Sequence, residues 1–171
     1  MPPEPFFDYK RFNYDKPLYD INEIRRINAQ RHEMEQLTGI VWFDEQGQSI
    51  IGFKDVAEDE FWAKGHMPGF PLLPGVLLCE SAAQLCAFFV RKFNLLKAGD
   101  FMGFGGMDQV RFRQAVFPPA RVIFLAKAVR IRPRVVAQFK FQAYVNDKLA
   151  MEGELLGMPI SRRETLPKNP S

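Results

Sequence analysis

Two side chains in the stretch GHMPGFPLLPGVLLCESAAQ, residues 65–84, can move protons: His66, one of only two histidines in the chain, and Glu80. An imidazole takes and returns a proton near neutral pH better than any other side chain. A carboxylate in an otherwise apolar run must be paired, hydrogen-bonded or protonated. Gln84 stands one helical turn beyond Glu80 and can donate an amide hydrogen to it. Pro74-Gly75 opens the apolar run with no Ser, Thr, Asp or Asn before it, so the first N–H groups of a helix starting there have no local side-chain acceptor. They can polarise a carbonyl oxygen, and Gly75, lacking a side chain, lets a ligand approach. Base, carboxyl and N–H donors together suit proton abstraction beside a thioester carbonyl while a hydroxyl leaves. Taken singly, His66 reads as a satisfied histidine and Glu80 as a buried carboxylate that caps a neighbour.

These residues need a helix and a loop to meet. GVLLCESAAQLCAFFVRKF, residues 75–93, is free of internal Gly and Pro and apolar nearly all round, which predicts a buried helix. EDEFWAKGHMPGFPLLPG before it is read as a loop held extended by Pro68, Pro71 and Pro74, folding His66 back over the helix start. TGIVWFDEQGQSIIGFKDV reads as a hairpin with strands at 40–43 and 49–53 around Glu-Gln-Gly-Gln. FMGFGGMDQ is read as a glycine-rich turn. The segment after it, rich in Val, Ile and Phe, predicts three long strands that turn near Pro118-Pro119, Pro133 and Asn146-Asp147. Residues 1–20 suggest an extended arm on the surface or on a partner chain, and DINEIRRINAQRHEMEQ one or two short helical turns. One apolar helix is buried only if the sheet curls around it or if it packs on a second copy.

With 171 residues, 47% of them apolar, the chain can form one domain with a real core. Cys79 and Cys86 read as reduced core thiols in a cytoplasmic protein. Neither an export signal nor a membrane span is evident. Two histidines and no carboxylate cluster make no convincing metal site. The net charge of +3 is unevenly laid out: residues 1–60 carry thirteen acidic and seven basic side chains, whereas residues 109–146 carry eight basic and no acidic ones. That segment either attracts an anionic partner or is a solvated face balanced in space by the acidic part. It contains no nucleic-acid-binding motif.

The order His66-Met-Pro-Gly, Pro71, Leu73-Pro74-Gly75-Val76-Leu77, Glu80-Ser-Ala-Ala-Gln84, followed by GFGGMDQVRFRQAVFPPA, resembles the FabZ-type (3R)-hydroxyacyl-acyl-carrier-protein dehydratases of type II fatty acid synthesis over residues 35–157. The resemblance implies an α+β hotdog fold, a long central helix wrapped by a curved antiparallel sheet. It implies homodimers, often assembled as trimers of dimers, with His66 of one subunit meeting Glu80 of the other. By position, His66 is the base at C2 and Glu80 the group that serves the departing hydroxyl. The Gly75 N–H binds the thioester oxygen, the Leu72 carbonyl orients the imidazole, and Gln84 steadies Glu80. It implies no cofactor beyond the phosphopantetheine that carries the substrate on acyl carrier protein. The basic segment then offers a docking patch for that acidic partner, drawn from Arg111, Arg113, Arg121, Arg130, Arg132 and Arg134.

The chain departs from the family pattern at Met67, where Phe is usual, at Pro118-Pro119-Ala120, and at residues 29–34, where His32 reads as structural. These boundaries divide it into an N-terminal extension (1–34), a catalytic domain (35–160) and a flexible tail (161–171). Two other readings are a hotdog thioesterase that activates water, and a hotdog subunit kept for binding or assembly.

Overall fold

Alternation of apolar residues builds six strands, and the one long apolar stretch builds the helix they enclose. The computed structural model describes residues 3–44, 46 and 49–161, so the expected tail lies, but for Ser161, outside the described residues, as does most of the expected turn at 45–48. The strands are β1 (Gly39–Phe43), β2 (Ser49–Val56), β3 (Phe101–Phe112), β4 (Ala120–Arg132), β5 (Val136–Val145) and β6 (Lys148–Ile160). They form one antiparallel sheet in the order β1-β2-β4-β5-β6-β3, with β1 and β3 at its edges. Helix α1 (Ile21–Ile27) is closed by a capping box between Asp20 and Glu23, which satisfies two N–H groups at its start. Helix α2 (Gly75–Lys92) crosses the inner face of the sheet, and every residue from Ser81 to Val90 is buried. Phe88 and Phe89 are wholly buried against Phe124, Phe139 and Phe141, each contributing on the order of 1.5–3 kcal/mol relative to exposure.

The period of two along the strands serves both faces. Ile50, Phe124 and Ala143 point to α2, while their neighbours Ile51, Leu125 and Tyr144 point to the other side. There the N-terminal arm lies on its own sheet. Tyr9 is buried against Tyr144, their ring centroids 4.8 Å apart, and Phe7 and Phe12 pack on Trp42. Buried Gln142 accepts the Phe6 N–H at 2.9 Å and donates to the Glu4 carbonyl at 3.0 Å, so it anchors the arm by its backbone.

Three expectations change. The glycine-rich segment is strand β3, not a turn, which makes four long strands after α2 instead of three. Glycines on both strands make room for side chains across the β3–β6 pair: a Cβ on Gly103 of β3 would collide with the Ile160 side chain, and one on Gly157 of β6 with the Met102 side chain. The proline loop is a succession of turns as far as Phe70 and extended only over 71–74, because buried Trp62 pulls its first part onto the core. The turns at Pro118-Pro119, Pro133 and Asn146-Asp147 fall where expected, the last with both residues at positive φ, as a tight hairpin requires.

Candidate active site

His66 is held by its own loop. Its N–H donates to the Trp62 carbonyl (2.9 Å) and its carbonyl accepts from the Leu72 N–H (2.8 Å). Between them Met67 and Phe70 exchange backbone bonds of 3.0 and 2.9 Å, with Gly69 at φ +72°, a conformation glycine adopts without cost. Closing the loop in this way places the Leu72 carbonyl 2.7 Å from His66 Nδ1. A carbonyl can only accept, so Nδ1 carries a hydrogen, and in the neutral ring the lone pair is then on Nε2. The imidazole is exposed. Leu73, buried, donates to Val116 and ties the end of the loop to the segment after β3.

Glu80 sits half-buried in the second turn of α2 and accepts from Gln84 Nε2 at 2.8 Å. Gln84 is itself fixed: Nε2 also donates to the Met34 carbonyl (2.6 Å), and Oε1 accepts from the Gln36 N–H (2.9 Å). The Asn28 side chain donates to the Gln84 carbonyl at 3.0 Å. Sequence reasoning missed Asn28, Met34 and Gln36. Only the burial of two polar side chains in a segment read as short helical turns could have marked them, and burial is not visible in a single sequence.

Pro74 offers no side-chain cap to α2. At this uncapped end a Cβ on Gly75 would lie 2.8 Å from Cε1 of Phe112, so the half-exposed Phe112 ring forms a wall beside the Gly75 N–H. Among the described residues no hydrogen bond or ion pair joins His66 to Glu80 within one chain; each has its own partner. His32 lies on a single 3-10 turn at φ +57°. Cys79 and Cys86 are free, and burial pushes both thiols up, away from a reactive thiolate.

The six arginines do not share one place. Arg113 pairs with Glu152. Arg121 pairs with Asp55 at 2.6 Å and Asp15 at 3.3 Å while its guanidinium lies 4.8 Å from the Phe53 ring. Arg130, Arg132 and Arg134 are at the other end of β4, roughly 30 Å away at ~3.3 Å per strand residue. There Arg132 and Arg134 border an apolar pocket with Leu95, Leu96 and Met102. Arg111 and this trio have no carboxylate partner among the described residues. Among the described residues no group of three metal-ligating side chains occurs and no helix is long and apolar enough to cross a membrane.

A FabA-like domain family matches residues 28–154, and the 3-hydroxyacyl-acyl-carrier-protein dehydratase FabZ of Pelotomaculum thermopropionicum is 34% identical over 139 residues, 81% of this chain and 97% of that protein. The chain belongs to the FabZ dehydratase family. The matched span contains His66, Gly75, Glu80 and Gln84, and most of the N-terminal arm lies before it. Among solved structures, a dehydratase heterocomplex from Xenorhabdus doucetiae superposes with a TM-score of 0.66 at 14% identity, covering 82% of this chain and 93% of that one. A mutant thioesterase from Pseudomonas aeruginosa gives 0.60 at 14% identity, covering 85% and 98%. Both fit the α+β hotdog fold with its central helix. Because dehydratases and thioesterases share that fold, the FabZ assignment rests on the sequence relatives and not on the shape.

Proposed function

We propose that this FabZ family enzyme removes water from (3R)-3-hydroxyacyl thioesters on acyl carrier protein, giving the trans-2-enoyl thioester. His66 Nε2 takes the C2 proton, the C2 electron pair forms the double bond, and the C3–O bond breaks as Glu80 gives its proton to the departing hydroxyl. The proton on the imidazole returns to the Glu80 carboxylate before the next turnover. The Gly75 N–H holds the thioester oxygen as it gains charge. The observation that carries this reading is the 2.7 Å contact between His66 Nδ1 and the Leu72 carbonyl, which leaves Nε2 as a free base in the sequence context of the family. One positioned base contributes ~10²–10⁴-fold and one oxyanion donor ~10²–10³-fold.

The separate partners of His66 and Glu80 support a site completed by a second copy. Strand β3 is an unpaired edge twelve residues long, with Phe104 and Phe112 exposed along it and Met67, Phe70 and Phe117 exposed beside the His66 loop. An apolar open edge is what antiparallel pairing of two copies covers. Such pairing sets the Phe112 end of one β3 beside the Phe101 end of the other. It would bring Arg111 near the Arg130–Arg134 trio of the second copy, giving acidic carrier protein a composite patch next to the site.

Mass spectrometry of a (3R)-hydroxyacyl-carrier protein incubated with the enzyme, scored separately for water loss and thioester cleavage, tests the reading. Water loss that disappears in His66→Ala and Glu80→Gln supports it. Cleavage favours the thioesterase, and no reaction across several chain lengths favours a binding subunit.

A further inference from the structure

Gln84 has no freedom in how it faces Glu80, and the residues that remove that freedom lie far from α2 in sequence. Its carboxamide lies between two backbone groups whose roles cannot be exchanged. The Gln36 N–H can only donate, so the atom 2.9 Å from it is the oxygen. The Met34 carbonyl can only accept, so the atom 2.6 Å from it is the nitrogen. Neither assignment depends on Glu80. One Nε2 hydrogen is used by Met34, and the other points to Glu80 Oε1 at 2.8 Å. Gln84 is 2% exposed, so no solvent competes for these bonds, and a turned amide would set oxygen against oxygen and N–H against N–H. Asn28, the C-cap of α1 and 5% exposed, donates from its side chain to the backbone carbonyl of Gln84, which fixes the α2 backbone beneath the carboxamide and joins α1 to α2 at the level of the site.

We propose that the 28–36 segment is a positioning element for the acid of the dehydration, fixing through Gln84 which oxygen of Glu80 carries the transferred proton. A donor fixed on Oε1 favours negative charge there, so the acidic proton resides on Oε2, the oxygen turned away from Gln84. The Glu80 that faces substrate therefore presents one oxygen as a standing acceptor and the other as the donor to the departing hydroxyl. Asn28 and Gln84 are positioning residues in this scheme, and the backbones of Met34 and Gln36 do the rest. All of these groups belong to the chain that supplies Glu80, so the device works whichever subunit supplies His66. The inference rests on the dehydratase reading.

The test is steady-state dehydration of hydroxyacyl-carrier protein by the full-length enzyme and its Gln84→Glu and Asn28→Ala variants, at about pH 8 and about pH 6, with thermal melts to establish folding. In Gln84→Glu, acceptors face acceptors at Glu80 and Met34 unless one carboxyl keeps a proton. We expect kcat to fall ~10²-fold at the higher pH with KM within about twofold, and to recover in part at the lower pH. A loss of packing alone has no reason to be rescued by acid. Asn28→Ala should lower kcat by a smaller factor, again with little change in KM. Hydrogen exchange at the Gln36 amide is read in parallel: slow in the wild type, fast in Gln84→Ala. A wild type that dehydrates while Gln84→Glu keeps full kcat at both pH values, or loses it equally at both, overturns the inference alone, as does fast exchange at Gln36 in the wild type. A wild type that does not dehydrate overturns the parent reading and the inference with it.

Discussion

A hydrogen bond at one ring nitrogen of a histidine fixes the tautomer and the direction in which the other nitrogen points, and at His66 the bonded nitrogen is Nδ1, held 2.7 Å from the Leu72 carbonyl. Replacing His66 by Ala should therefore lower kcat by ~10²–10⁴-fold while KM stays nearly constant, because binding groups are untouched. A loss seen mainly in KM would make the residue a binding group. Between Met34 and Gln36, Glu35 accepts two bonds of 2.7 Å from Arg25, which hold its carboxyl below the usual carboxylate range. With the native value depressed, the pair stabilises the fold fully above the ordinary range, and that contribution is lost as pH falls through the lower native value. The Tm gap between wild type and Glu35→Gln should thus be constant from about pH 8 to about pH 6 and close towards about pH 3. A gap that persists in acid would assign the effect to packing instead of charge.

Helix α2 can lie close to the sheet because Gly52 on β2 has no side chain: a Cβ there would stand 2.7 Å from Leu85 Cδ1 and 3.1 Å from the Gly39 carbonyl. Gly52→Ala should therefore push α2 outward and cost about 1–3 kcal/mol, read as a lower midpoint in urea. An unchanged midpoint would show that the helix has slack. The arm on the outer face gives a different test. Burial, with Asp147 behind it for Tyr9 and Glu152 for Tyr144, pushes both phenols up to about 12. Raised native values mean that the arm's contribution is present below the ordinary tyrosine value of about 10 and is lost as pH rises towards about 12. Fluorescence from Trp42, which packs on Phe7 and Phe12, should change across that window. An arm that stays docked at higher pH would show that the tyrosines do not hold it. The sequence revealed α2 by its lack of Gly and Pro, and His66, Glu80 and Gln84 because a polar group stands out in an apolar run. Strand β3 was hidden because its glycines serve cross-strand packing yet look like a turn. The Met34 and Gln36 contributions are made by backbone, which leaves no mark in residue type. The arginines looked like one patch because a count along the chain takes no account of the length of a strand between them.

At the level of the whole molecule, no hydrogen bond or ion pair joins His66 to Glu80 in one chain, and β3 is an open edge with apolar residues exposed along it and beside the His66 loop, where the proposed shared site sets a second copy. If the site is shared, two inactive variants can rescue each other. A dimer of a His66→Ala subunit with a Glu80→Gln subunit has one site with both substitutions and one site with neither. Random exchange of equal amounts makes about half of the dimers mixed, so activity should return to about a quarter of the wild-type value, although each variant alone is inactive. Phe104→Lys, which places a charge on the exposed edge, should convert the protein to monomers in sedimentation and remove activity without touching either residue. Rescue absent after proven subunit exchange, or a monomeric Phe104→Lys variant that still dehydrates, would locate the whole reaction within one chain and leave the β3 edge without a catalytic role.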